Sequence, residues 1–157
     1  MQTSGMKHLY QQIADTIVEM IPEEWSRVLL YAQVNEESAI VYFYYFPKGK
    51  DAPEYSLDIA RKWDVPAAEY NALEKKLYDL FIVHWREASK QGLPAWTNLT
   101  LRLDRSGSIE MDYDASDKEN NDAYEDLVIW KYRNLNMKPD SSNQRDSDII
   151  RKYIKSL

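Results

Sequence analysis

The sequence contains no cysteine, which excludes a disulfide framework, thiolate catalysis and cysteine-ligated metal sites. Four glycines leave little scope for phosphate-cradling loops, and no P-loop, Gly-x-Gly-x-x-Gly, serine elbow or HExxH pattern occurs. With only His8 and His84, a zinc site would need carboxylates brought in from elsewhere, so each reads as a packed or surface histidine. No cofactor or metal is therefore expected. The longest uninterrupted apolar run, residues 39–46, is far too short to span a bilayer. The N-terminus lacks the basic-then-apolar pattern of a signal peptide. These absences predict a soluble, cytoplasmic protein with no membrane attachment. Residues 1–5 read as a leader or cloning remnant before a natural start at Met6, and residues 6–157 as a single domain.

What is present is enough for a proper core: 157 residues, 44% of them hydrophobic. Organisation centres on residues 27–46, RVLLYAQVNEESAIVYFYYF. Two β-branched and aromatic runs flank a polar connection of hairpin length, residues 35–38. Both faces of each run carry apolar side chains, so these read as inner strands needing cover on more than one side. Before them, Leu9, Ile13, Ile17 and Met20 recur at helical spacing over residues 7–21, and Pro22 ends that helix. Residues 55–59 alternate like a short third strand. Asp64, a plausible N-cap, and Pro66 open a long helix that reaches about Lys90, carries Tyr70, Leu73, Leu77, Leu80, Phe81, His84, Trp85 and Ala88, and stops at Gly92 and Pro94.

Residues 96–114 read as a second hairpin turning at Asp104-Arg105-Ser106-Gly107. Here the alternation is clean. Leu99, Leu101, Leu103, Ile109, Met111 and Tyr113 fall on one face; Asn98, Thr100, Arg102, Glu110, Asp112 and Asp114 fall on the other. A helix over residues 122–134 with Tyr124, Leu127, Val128 and Tyr132 inward, and a last helix over residues 146–154, complete the order α-β-β-(β)-α-β-β-α-α. That is an α+β class with an antiparallel sheet of two hairpins packed by helices.

Charge is distributed unevenly. Between Asp104 and Asp126 stand nine acids and two bases, a local net charge of −7 within a total of −6. A solvated sheet face is the plain reading; a docking patch for a basic protein is the functional one, favoured by the concentration. Counted as an EF-hand loop from Asp112, the required glycine and glutamate positions hold Asp117 and Ala123, so the calcium pattern fails. Twenty aromatic residues could stack on nucleic acid, but that chemistry wants interleaved Lys and Arg, so no nucleic-acid partner is expected. By alternation Trp96 joins the polar face and becomes a candidate exposed anchor; Tyr113, on the apolar face, is a second possible anchor.

Several blocks taken together resemble one family: LYQQIADTIVEMIPEEW at 9–25, VYFYYFPKGK at 41–50, LYDLF at 77–81, WTNLTLRLDRSG at 96–107 and IWKYRNL at 129–135. They are similar to the YezG-like (EsaG-like) immunity proteins of Gram-positive polymorphic toxin systems, over nearly the whole chain. The resemblance implies a cytoplasmic, non-enzymatic antitoxin that binds and neutralises a cognate secreted nuclease toxin, and it brings no catalytic residues. Joined to the charge pattern, it makes Trp96, Glu110, Asp112, Tyr113, Asp114, Asp117, Glu119 and Asp122 the expected toxin-binding residues, acting by active-site blockade or by distortion. Two rival readings remain: a small hydrolase using the Asp112 and Asp114 carboxylates, and an adaptor or chaperone for a secretion substrate.

Overall fold

A computed structural model describes residues 4–88, 90, 92, 93 and 95–157. The elements are α1 (Ser4–Met20), β1 (Trp25–Val34), β2 (Ala39–Pro47), β3 (Glu54–Tyr55), a 3-10 turn (Ser56–Asp58), α2 (Ile59–Lys62), α3 (Ala67–Glu87), β4 (Asn98–Asp104), β5 (Ile109–Asp114), α4 (Ala123–Leu135) and α5 (Gln144–Lys155). They form two compact units, one running to Ser116 and the other spanning Asp117–Leu157. The class is α+β, as the sequence pattern predicts.

In the first unit the five strands lie in the order β3-β2-β1-β4-β5, every pairing antiparallel. Central β1 bonds β2 on one side and β4 on the other, and its apolar residues are buried on both faces. One sheet face presents Val28, Leu30, Ala32, Val34, Val41, Phe43, Tyr45, Leu99, Leu101 and Leu103 to a core completed by Leu9, Ile13 and Ile17 of α1 and Tyr70, Leu77 and Phe81 of α3. Each valine, leucine, isoleucine or phenylalanine among them, fully buried, contributes about 1.5–3 kcal/mol of transfer free energy. On the opposite face Leu29, Tyr31, Tyr42, Tyr44 and Phe46 are also buried, with Tyr31 stacked on Tyr42 and Tyr44 on Tyr55.

Local chemistry sets the turns. The Asn35 side chain accepts hydrogen bonds from the amides of Glu37 and Ser38, both at 2.8 Å, closing the β1–β2 connection. Asp104 Oδ1 accepts from the amides of Ser106 and Ser108, and Gly107 takes the positive φ of 92° that this turn requires. The Ser106 hydroxyl, followed by these two amides, holds the Asp104 carboxyl below its usual pKa.

Three expectations change. Only Glu54 and Tyr55 are strand; residues 56–62 turn helical because Ser56 points its hydroxyl inward to the Phe43 amide instead of continuing the alternation. Asp64 does not cap α3: it sits at φ 54°, and the helix starts at Ala67 after Pro66 without a side-chain cap. That helix ends at Glu87, and Pro94, expected to help stop it, lies outside the described residues. The first helix, α1, begins at Ser4.

In the second unit, Val128, Ile149 and Ile150 form a small core with Ile129 and Tyr132 against it. Asp122 caps α4 by accepting from the amides of Tyr124 and Glu125, Asn136 closes it in the left-handed conformation, and Asn143 caps α5. Tyr124 is exposed, not inward as the periodicity implied. Its hydroxyl bonds Asp146 and its ring lies 4.1 Å from the Arg145 guanidinium. Trp130, which the periodicity left out, is buried instead.

Candidate partner-binding surface

The β4–β5 register carries the sequence alternation into space. Leu99 opposes Tyr113, Leu101 opposes Met111 and Leu103 opposes Ile109 on the core side; Asn98 opposes Asp114, Thr100 opposes Asp112 and Arg102 opposes Glu110 on the other. Strand β5 is the sheet edge, and Glu110, Asp112 and Asp114 are all exposed on it. Acids along an edge strand also discourage further strand pairing, a structural role that needs no partner.

The carboxylates differ in what they do. Asp112 pairs with Arg102, its diagonal neighbour across the ladder. Asp114 accepts from Asn98 Nδ2 at 2.9 Å and from the Ser116 hydroxyl at 2.6 Å. Among the described residues Glu110 forms no ion pair. Asp117, Glu119 and Asp122 belong to the second unit. There Asp117 accepts from the amide of Glu119, and Asp122 is the α4 cap. Hydrogen bonding of this kind fixes the position of a carboxylate.

Trp96 is not an exposed anchor. It is 2% exposed and sits in the core. Strand β4 begins only at Asn98, so the alternation that placed Trp96 beside Asn98 does not extend to it. Its indole N–H donates to His84 Nδ1 at 3.1 Å. An indole can only donate, so Nδ1 is the unprotonated nitrogen and Nε2 carries the proton. His84 Nε2–H then donates to the Tyr113 hydroxyl at 3.1 Å, and that hydroxyl bonds Tyr10. Burial lowers the His84 pKa to about 4, and burial, with the Tyr10 hydrogen bond, pushes Tyr113 up from its ordinary value. Tyr113 thus faces the core network and shares no face with the acids.

A surface absent from the sequence reading lies where the β1–β2 turn meets α3. Residues 35–39 and the α3 side chains of Glu74, Tyr78, Asp79, Ile82 and Trp85 line a groove of about 620 Å³. The signal was a second stripe on α3, Glu74-Tyr78-Ile82-Trp85, one position behind the buried residues 77, 81 and 84. The stripe read from the sequence took in Trp85 but left out Glu74, Tyr78 and Ile82.

The described residues thus carry two distinct surface features, the acidic edge of β5 and the groove beside α3. The sequence model of the family "Immunity protein YezG-like" matches residues 6–149, and the chain belongs to that family. It is 39% identical to the Immunity protein YezG of Bacillus spizizenii, covering 99% of this chain and 97% of that one. It is 34% identical to Immunity protein YezG of Bacillus subtilis, covering 95% and 99%. With the type VII secretion system protein EsaG of Staphylococcus aureus it shares 26% identity over 97% and 95%. No helix among the described residues is long and apolar enough to cross a membrane.

Proposed function

We propose that this chain is a cytoplasmic antitoxin that binds and neutralises a cognate secreted nuclease toxin, residues 6–157 acting as one immunity domain without catalysis of their own. The observation that carries this reading is the family match along residues 6–149. The secretion-system name of the staphylococcal relative supports a partner that is exported. The exposed edge of Glu110, Asp112 and Asp114 opposes a basic, nucleic-acid-binding surface of the toxin, raising association rate and specificity. Asp117, Glu119 and Asp122, in the second unit, are toxin contacts in the same reading. Trp96 and Tyr113 serve the interface only by holding β4 and β5 in shape.

The test is co-expression with a nuclease toxin encoded beside this gene, scored by cell survival, complex formation and nuclease activity. Rescue with a stable, inactive complex supports the reading. A complex with full nuclease activity would favour the adaptor instead. Nuclease or glycosidase activity in the purified chain, lost on Asp112→Asn, would favour the hydrolase. The double variant Glu110→Lys with Asp112→Lys should weaken the complex and flatten its salt dependence. Asp114 is kept because its carboxylate holds Asn98 and Ser116.

A further inference from the structure

The groove beside α3 combines three features that a solvated face does not need. Its floor is carbon: Ala39, Tyr78, Ile82 and Trp85 pack against the core yet stay partly exposed. The polar ends of both rings are already used, the Tyr78 hydroxyl donating to the Val41 carbonyl at 3.2 Å and the Trp85 indole to the Trp96 carbonyl at 2.9 Å. What these rings offer the groove is apolar surface. The rim is acidic. Glu36 and Glu37 stand on a turn that Asn35 holds closed, while Glu74 and Asp79 stand on α3. Against these four acids the lining holds two cations, Lys75 and Arg86, and Lys75 is taken by Asp79 at 2.7 Å. Glu74 is partly buried at the apolar wall, forms no ion pair among the described residues, and has its pKa raised by that burial.

We infer that this groove is a second docking site, for a segment of the toxin polypeptide in which a lysine or arginine is flanked by apolar side chains. The inference rests on the proposed antitoxin reading for the owner of that segment. The partner's aliphatic or aromatic residues lie on Ala39, Ile82 and Trp85, and its cation reaches Glu74 with Glu36 and Glu37 around it. Charge complementarity selects this occupant: an acidic segment would meet the four carboxylates, and a purely apolar one would leave Glu74 desolvated and unpaired. A groove of about 620 Å³ falls within the range of roughly 300–1,000 Å³ that holds compact ligands, room for a few side chains. It lies on residues other than the β5 acids, so the two surfaces can be tested apart.

The experiment uses the full chain and the nuclease toxin purified by co-expression with it. Amide hydrogen exchange is followed with and without toxin, and affinity is measured for Glu74→Gln, for Glu36→Lys with Glu37→Lys, and for Glu110→Lys as the edge control. Protection of residues 35–39 and 74–86 in the complex, with affinity falling roughly tenfold or more in the groove variants, is the expected result. The glutamates at 36 and 37 are exposed on a turn, so their replacement tests binding even if Glu74→Gln unfolds. A complex whose groove amides exchange as in the free chain, with groove variants of unchanged affinity, would overturn the inference and leave the antitoxin reading standing. Groove protection without any effect of the charge variants overturns the basic segment. Self-association of the chain alone that Ile82→Glu abolishes would make the occupant a second copy instead. Failure to form any complex with the toxin overturns both readings.

Discussion

The two hairpins of the sheet are built from the same backbone pattern and serve different ends. In β1–β2 both faces are buried, and the tyrosines on the second face stack on one another. In β4–β5 one face joins the core while the other carries Glu110, Asp112 and Asp114 into solvent. Along one and the same sheet face, Leu29 of β1 opposes Arg102 of β4, which opposes Glu110 of β5. That face passes from apolar and buried to acidic and wet within three strands. Position in the sheet explains the change: β1 is central and β5 is an edge. On this face a partner can therefore reach the charges of β5 but not the apolar side chains of β1. The difference teaches where to look for binding, since residues free of packing duty can be tuned to a partner without loss of the fold.

This contrast can be broken most directly by placing charge on the buried end of that face. Leu29→Asp should cost about 4 kcal/mol or more, enough to unfold a marginal domain, because an unpaired carboxylate would be buried. Asp112→Lys, on the same face two strands away, should change urea-unfolding stability by less than about 1 kcal/mol. Equal effects would mean that the two hairpins do not differ as described. Across the β4–β5 ladder, Leu101→Ala on the core side should cost roughly 2–5 kcal/mol, while Thr100→Ala beside it should stay within about 1 kcal/mol.

A third test uses pH. His84 is buried as a neutral imidazole between Trp96 and Tyr113, with its pKa at about 4 against an ordinary 6.5. The unfolded chain takes up this proton first as pH falls. Stability is then unaffected by His84 above about pH 7 and is lost between about 6.5 and 4, by up to about 3 kcal/mol. Unfolding of the parent and His84→Asn at pH 7.5 and 4.5 isolates this contribution, and parallel losses in both would remove His84 as the cause. The smallest expected effect is on α4: Asp122→Ala should lower stability by about 1 kcal/mol, through loss of the cap and not through the sheet. Thermal unfolding followed in the two units separately would show it confined to Asp117–Leu157.

Sequence by itself determined the α+β class, the two hairpins and their turns, and the side of β5 on which its acids stand, because a period of two and the chemistry of Asn35, Asp104 and Gly107 act over a few residues. Family membership was legible for a related reason, since its blocks fill the helices and strands that build the core. What only the tertiary structure decided was the fate of side chains where periodicity stops. Trp96 precedes its strand and turns inward to His84; Ser56 leaves the alternation to bond Phe43; Tyr124 meets Asp146 on a neighbouring helix. The groove needed the fold for the same reason. Residues 35–39 and 74–86 lie far apart in the chain, and only the packing of α3 across β1 and β2 brings the glutamates of a turn to the apolar stripe of a helix.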